Sequence, residues 1–208
     1  MTFAGAAHQP VGEEDLLRAR FYTLLSNLLL APPPGPVLAD LSGLTGDDET
    51  GLGRALNALA EAARASDAEA VTDEHFALFV GISRGEIVPY KSHYLTGFLH
   101  EKPLADVRET LRALGVERTP GQTEPEDHIA ILFDVMRGLI LGELGTGAGL
   151  SEQKAFFEDH IASWVEALCR DIEAARSARF YKAVGGVGRV FMDIERESLA
   201  MVGEKGEG

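Results

Sequence analysis

Cysteine is almost missing from this chain: its 208 residues contain only Cys169. An internal disulfide is therefore excluded, and a reduced, cytoplasmic setting fits. Cys169 falls beside the apolar stripe of a predicted helix, where a buried and unreactive thiol is expected. No apolar run approaches the length that spans a bilayer, which speaks against membrane insertion. Residues 1–12 lack a basic segment followed by an apolar one, so no signal peptide is expected. Positive charge is scarce: 19 basic residues stand against 33 acidic ones, a net charge of −14. Such a field repels nucleic acid and anionic membranes and attracts cationic segments, although solubility alone also accounts for it.

Chemical signatures are equally sparse. No Gly-x-Ser-x-Gly elbow and no phosphate-binding glycine loop occurs. The histidines show neither His-Glu-x-x-His nor Glu-x-x-His spacing, so no metal ligand set and no cofactor is predicted. Nor does any segment alternate with a period of two, which argues against strands.

Apolar residues recur at helical spacing. Leu17, Phe21, Leu24, Leu25 and Leu28 predict a helix from Glu13 to about Leu30, stopped by the prolines from Pro32 to Pro36. One turn is expected at Val37–Leu41, a helix from about Leu52 to Ser66, and another capped by Asp67 and ending at Gly81. Residues 81–99 are irregular and aromatic, with Tyr90, His93, Tyr94 and Phe98. Such a segment packs across a core or lines a pocket. A helix beginning near Pro103 stops at Gly115. Ser151 is expected to cap a continuous helix carrying Phe157, Ile161, Trp164, Leu168 and Ile172. The last helix starts near Phe180. Gly185, Gly186 and Gly188 either weaken it or admit a close neighbour. The pattern predicts an all-α, single-domain bundle of about seven to nine helices over residues 13–202. Mobile tails are expected at 1–12 and 203–208, with a hinge at 145–149 that makes a domain-swapped dimer conceivable beside a monomer.

The stretch from Thr123 to His128 reads as a helix start. Thr123 and Glu126 have capping-box spacing, Pro125 suits a first turn, and Glu124, Glu126 and Asp127 put acid at the positive end of the helix dipole. Asp127 and His128 admit two readings. One is structural, an acidic first turn with a histidine satisfying a neighbour. The other is a recognition surface, in which projecting carboxylates grip a guanidinium and Tyr90 to Phe98 supply an apolar wall. The same aromatic segment also suits plain core packing.

Glu124-Pro125-Glu126-Asp127-His128-Ile129-Ala130 resembles the signature of the TorD/DmsD family of molybdoenzyme-specific chaperones. The rest of the chain from about Glu13 matches in order: Phe76 to Gly81, Pro89 to Leu95, Phe156 to Ile161 with Trp164, and Phe180-Tyr181. The resemblance implies a helical bundle without catalysis. Its partner would be the precursor of a molybdopterin-dependent oxidoreductase catalytic subunit, such as a formate dehydrogenase or a dimethyl sulfoxide or trimethylamine N-oxide reductase. The chaperone would bind the twin-arginine leader or the apoenzyme and assist cofactor insertion before export or assembly. By the same resemblance Asp127, His128, Glu124, Pro89, Tyr90, Ser92 and Tyr94 line or border the peptide-binding surface. Two departures are visible: Ala130 to Phe133 replace an acidic continuation, and Lys91 stands where relatives often carry an acid. The alternatives are a small helical enzyme using Asp127, His128 and His93 as acid–base groups, or a helical scaffold without a leader client.

Overall fold

Ten α-helices and two π-helical turns make up the structure, a computed structural model that describes residues 11–118, 123–144 and 149–202. The helices are α1 (Glu13–Leu30), α2 (Gly35–Ser42), α3 (Gly51–Arg64), α4 (Ala68–His75), α5 (Lys91–Thr96), α6 (Lys102–Ala113), α7 (Ile129–Ile140), α8 (Leu150–Phe157), α9 (Val165–Ala174) and α10 (Phe180–Ala200). The π-helical turns are Phe76–Val80 and Glu158–Ala162. No strand occurs among the described residues; one isolated antiparallel bridge joins Tyr90 to His128. The all-α expectation holds, with more and shorter helices than expected. Of the expected tails at 1–12 and 203–208 and the expected hinge at 145–149, only Val11, Gly12 and Gly149 are among the described residues.

α1 lies along α7 and also meets α10, while α10 packs against α9 and α3. The centre is aromatic: Tyr22 of α1 meets Phe133 of α7 edge-on at 5.5 Å and Phe191 of α10 at 5.0 Å. These rings join one cluster of buried apolar side chains that includes Leu25, Leu132, Met136, Leu168 and Val187. Each such side chain contributes on the order of 1.5–3 kcal/mol by leaving water. Among the buried polar side chains is Arg18 of α1, whose Nε and Nη2 donate to the two carboxylate oxygens of Glu195 in α10 at 2.7 and 2.9 Å. Tyr22 Oη also donates to Glu195, at 2.9 Å. This forked pair ties the first helix to the last.

Three expectations are corrected. The segment from Ser151 to Ile172 is not one helix: after the π-helical turn the chain breaks at Trp164 (φ −140°, ψ −18°). The N-cap before it is Gly149, with no side-chain cap from Ser151. The glycines of α10 serve close approach, since a Cβ on Gly185 would lie 3.0 Å from the Cys169 carbonyl oxygen and one on Gly188 3.0 Å from Cys169 Sγ. Cys169 is buried, and burial pushes its thiol up to about 12.

The third correction concerns α7. It begins at Ile129, not Thr123, and its N-cap is His128, whose Nδ1 accepts from the Ala130 amide at 3.1 Å. Pro125 and the residues around it form a turn ahead of the helix, in which the His128 amide donates to the Pro125 carbonyl. The Glu126 carboxylate binds Arg108 of α6 at 2.9 Å instead of closing a capping box. The Asp127 carboxylate turns away from its own helix to the Ser92 amide of α5.

Candidate functional site

Two of the sequence motifs meet across the bridge. The Lys91 amide donates to the Asp127 carbonyl at 3.0 Å, and the Ile129 amide to the Pro89 carbonyl at 2.9 Å. Asp127 Oδ2 accepts from the Ser92 amide at 2.9 Å. It thereby caps α5, a helix of only six residues that starts from an extended Tyr90. Tyr90 packs edge-on against the His128 ring at 5.0 Å and donates its hydroxyl to Glu124. Glu124, Asp127, His128, Pro89, Tyr90 and Ser92 are thus brought into one junction. Tyr94 stands apart: its ring lies against Trp164 at 5.3 Å and its hydroxyl donates to Asp171 at 2.8 Å.

The junction is largely closed. Asp127 is 1% exposed and His128 4%. Pro89 and Ser92 are also buried, and the Ser92 hydroxyl has no hydrogen-bond partner among the described residues. Glu124, Tyr90 and Tyr94 are half-buried and reach the surface. Burial depresses the His128 imidazole to about 4, against the opposing pull of Glu124 and Asp127. The ring is therefore neutral near pH 7, with Nδ1 accepting as the cap. The expected projection of Asp127 and His128 from a helix tip does not occur: both side chains face inward and are engaged. Acid–base work by Asp127, His128 and His93 finds no geometric support either. The His93 ring meets Arg84, its Nε2 3.0 Å from the guanidinium, outside the junction.

What this platform presents lies one step further along the chain. After α5, Gly97 takes a left-handed turn (φ 82°), and Leu95, Phe98 and Leu99 stand 46%, 69% and 42% exposed. The irregular aromatic character of residues 81–99 signalled the segment, but not which of its side chains would face outward. A cavity of about 320 Å³ is lined by Lys91 of α5 together with Asp106, Glu109, Thr110, Asp159 and His160. Of these, Lys91 stood out in the sequence as a departure from relatives, and Asp159 and His160 as part of the Phe156 to Ile161 motif. A second cleft of about 250 Å³ lies beside Glu126, Arg118 and Ile131. No group of three or more metal-ligating side chains is assembled among the described residues. No helix among them is long and apolar enough to cross a membrane.

Comparison with known proteins gives the family and the fold. Residues 45–170 match the family described as nitrate reductase delta subunit. The chaperone protein TorD of Aliivibrio fischeri is 30% identical over 205 residues, covering 88% of this chain and 94% of that protein. TorD of Vibrio cholerae is 29% identical over 171 residues, covering 76% of this chain and 77% of its own. The crystal structure of a putative redox enzyme maturation protein from Archaeoglobus fulgidus superposes with a TM-score of 0.57 at 19% identity, covering 93% of this chain and 98% of that one, and so shares the fold. The junction that welds Pro89–Ser92 to Glu124–His128 is thus built from the motifs that suggested the relationship, and the chain belongs to the nitrate reductase delta subunit family, among its TorD-like chaperones.

Proposed function

We propose that this protein is a non-catalytic chaperone for the precursor of a molybdopterin-dependent oxidoreductase, acting in the cytoplasm as a monomer or a swapped dimer. It binds the twin-arginine leader, the apoenzyme, or both, and assists cofactor insertion before export or assembly. The client is of the class of a formate dehydrogenase or a sulfoxide or amine-oxide reductase. The observation that carries this reading is the exposure of Leu95, Phe98 and Leu99 on a connection anchored by α5. Three large apolar side chains on a chain of net charge −14 suit a segment that is itself both apolar and cationic. Membership of a chaperone family supports the same reading.

In this reading the site has a base and a face. Asp127, His128, Pro89 and Ser92 form the base and act by holding α5 in place. Glu124, Tyr90 and Tyr94 border the face. Apolar burial then supplies affinity, and the acidic field raises the rate of encounter.

Calorimetry tests it with a synthetic peptide carrying adjacent arginines followed by an apolar stretch, alongside the apoenzyme of a candidate client. The wild-type protein is expected to bind. Leu95→Ser with Phe98→Ser is expected to weaken binding about tenfold or more, as loss of two apolar contacts implies. Binding of neither leader nor apoenzyme overturns the reading.

A further inference from the structure

Lys91 is a buried cation with no carboxylate at ion-pair distance among the described residues. It is 4% exposed, and the hydrogen-bond partner of its ammonium is His160 Nδ1, at 3.0 Å. Because a lysine only donates, Nδ1 must accept, and the ring proton sits on Nε2. That nitrogen donates to Thr110 Oγ1 at 2.8 Å, and Thr110 in turn reaches the Asp106 carbonyl at 3.2 Å. The imidazole and the hydroxyl are therefore fully engaged. Two of the three Lys91 N–H groups are not. The π-helical turn Glu158–Ala162 carries His160 into this position, opposite α6.

The mouth of the cavity is of opposite sign. Asp106 and Glu109 lie one turn apart on α6, and Asp159 faces them from the π-helical turn. All three are exposed, and none of their carboxylates has a hydrogen bond or ion pair among the described residues. The cavity thus offers donors at its inner end and acceptors at its rim, with two negative charges in excess. A free anion is repelled at the rim. A lone amine meets Lys91. A group with a neutral acceptor leading inward and a delocalised cation at the mouth satisfies both ends, and a peptide arginine has both parts.

We propose that this cavity is the subsite for an arginine of the client's leader, whose backbone carbonyl accepts from Lys91 while its guanidinium spans Asp106, Glu109 and Asp159. Guanidinium is preferred to ammonium because its planar fork engages several carboxylate oxygens at once. Lys91 and Leu95 lie one turn apart on α5, so in this proposal one peptide engages both the subsite and the exposed strip that follows it. The inference rests on the leader-binding reading above and names the chemistry of one part of it.

Calorimetry with three synthetic peptides tests it: adjacent arginines followed by an apolar stretch, the same peptide with Lys-Lys, and the same with Gln-Gln. Wild-type protein is expected to bind them in that order, with about tenfold or more between Arg-Arg and Gln-Gln. Asp106→Asn with Glu109→Gln and Asp159→Asn is expected to reduce the Arg-Arg affinity to that of Gln-Gln while leaving the Gln-Gln affinity unchanged. All three positions are exposed, so the variant folds, and its melting temperature verifies this. Lys91→Met is expected to weaken all three peptides alike. If wild type binds the three peptides equally, or the triple variant keeps its preference for Arg-Arg, the subsite is overturned and the chaperone reading stands. If wild type binds none of them, the leader-binding reading fails and the subsite with it.

Discussion

Asp127 caps a helix that lies 35 residues away: its Oδ2 accepts the Ser92 amide at 2.9 Å. The residue that looked in the sequence like the acidic head of its own helix is the foundation of another.

Asp127→Ala removes that cap and leaves a buried amide without a partner. A loss of about 2 kcal/mol is expected. Asp127→Asn keeps an acceptor oxygen and is expected to cost less. Chemical denaturation compares the two. Equal stability of wild type and Asp127→Ala would mean that α5 is held by packing alone.

Acid should destabilise the fold through His128 and His160, both held near 4 in the folded protein, chiefly by burial and for His160 also by the charge of Lys91. The unfolded chain takes up these protons near the ordinary histidine value of about 6.5, so it binds more protons than the folded chain between 6.5 and 4. The contribution is complete above 6.5 and is lost as pH falls toward 4. His128→Asn retains a good N-cap for α7 and is expected to shrink the fall in melting temperature across that window. An unchanged pH profile in the double variant with His160→Asn would contradict it.

The fork between Arg18 and Glu195 is desolvated, and breaking one side leaves a buried charge. Glu195→Ala is expected to cost about 3–5 kcal/mol, while Arg18→Met with Glu195→Met costs clearly less. Urea unfolding of the single and double variants gives the coupling between them.

Glycine-to-alanine changes in α10 separate close approach from helix propensity. Gly185→Ala forces a methyl to 3.0 Å from the Cys169 carbonyl, which is backbone and cannot yield, so a loss of about 1–3 kcal/mol is expected. At Gly186 the nearest atom is the tip of Glu173 at 3.5 Å. Gly186→Ala is therefore expected to be neutral or to gain up to about 1 kcal/mol. Similar effects at both positions would refute the packing account.

The helical stripes were readable because burial imposes the spacing of three and four directly on the sequence, as at Phe21, Leu25 and Leu28, although Leu17, read as part of the same stripe, is 52% exposed. The limits of α1 and α10 followed from acid, proline and a run of apolar contacts. The start of α7 did not. Thr123, Pro125 and Glu126 satisfy local rules for a cap, but Arg108 claims Glu126 and the α5 amides claim Asp127, and both partners are remote in sequence. Residues Pro89 to Tyr94 and Glu124 to His128 could be picked out by their composition. That they pair through a backbone bridge could not, because a single bridge leaves no period in the chain. Lys91 and His160 lie 69 residues apart, and although Phe156 to Ile161 was picked out as a motif, its apolar spacing reads as ordinary helix and does not mark the π-helical turn that brings the two together.

Six residues are too few for a helix to persist on its own in water. The short α5 therefore exists only while the bridge and its cap are made, and its amide protons report on that junction. Deuterium exchange at Lys91, Ser92 and Ile129 should show one common degree of protection once each amide's intrinsic rate is divided out, since a single opening event frees all three. A ligand seated on the adjoining surface would slow that exchange without touching any of the three amides.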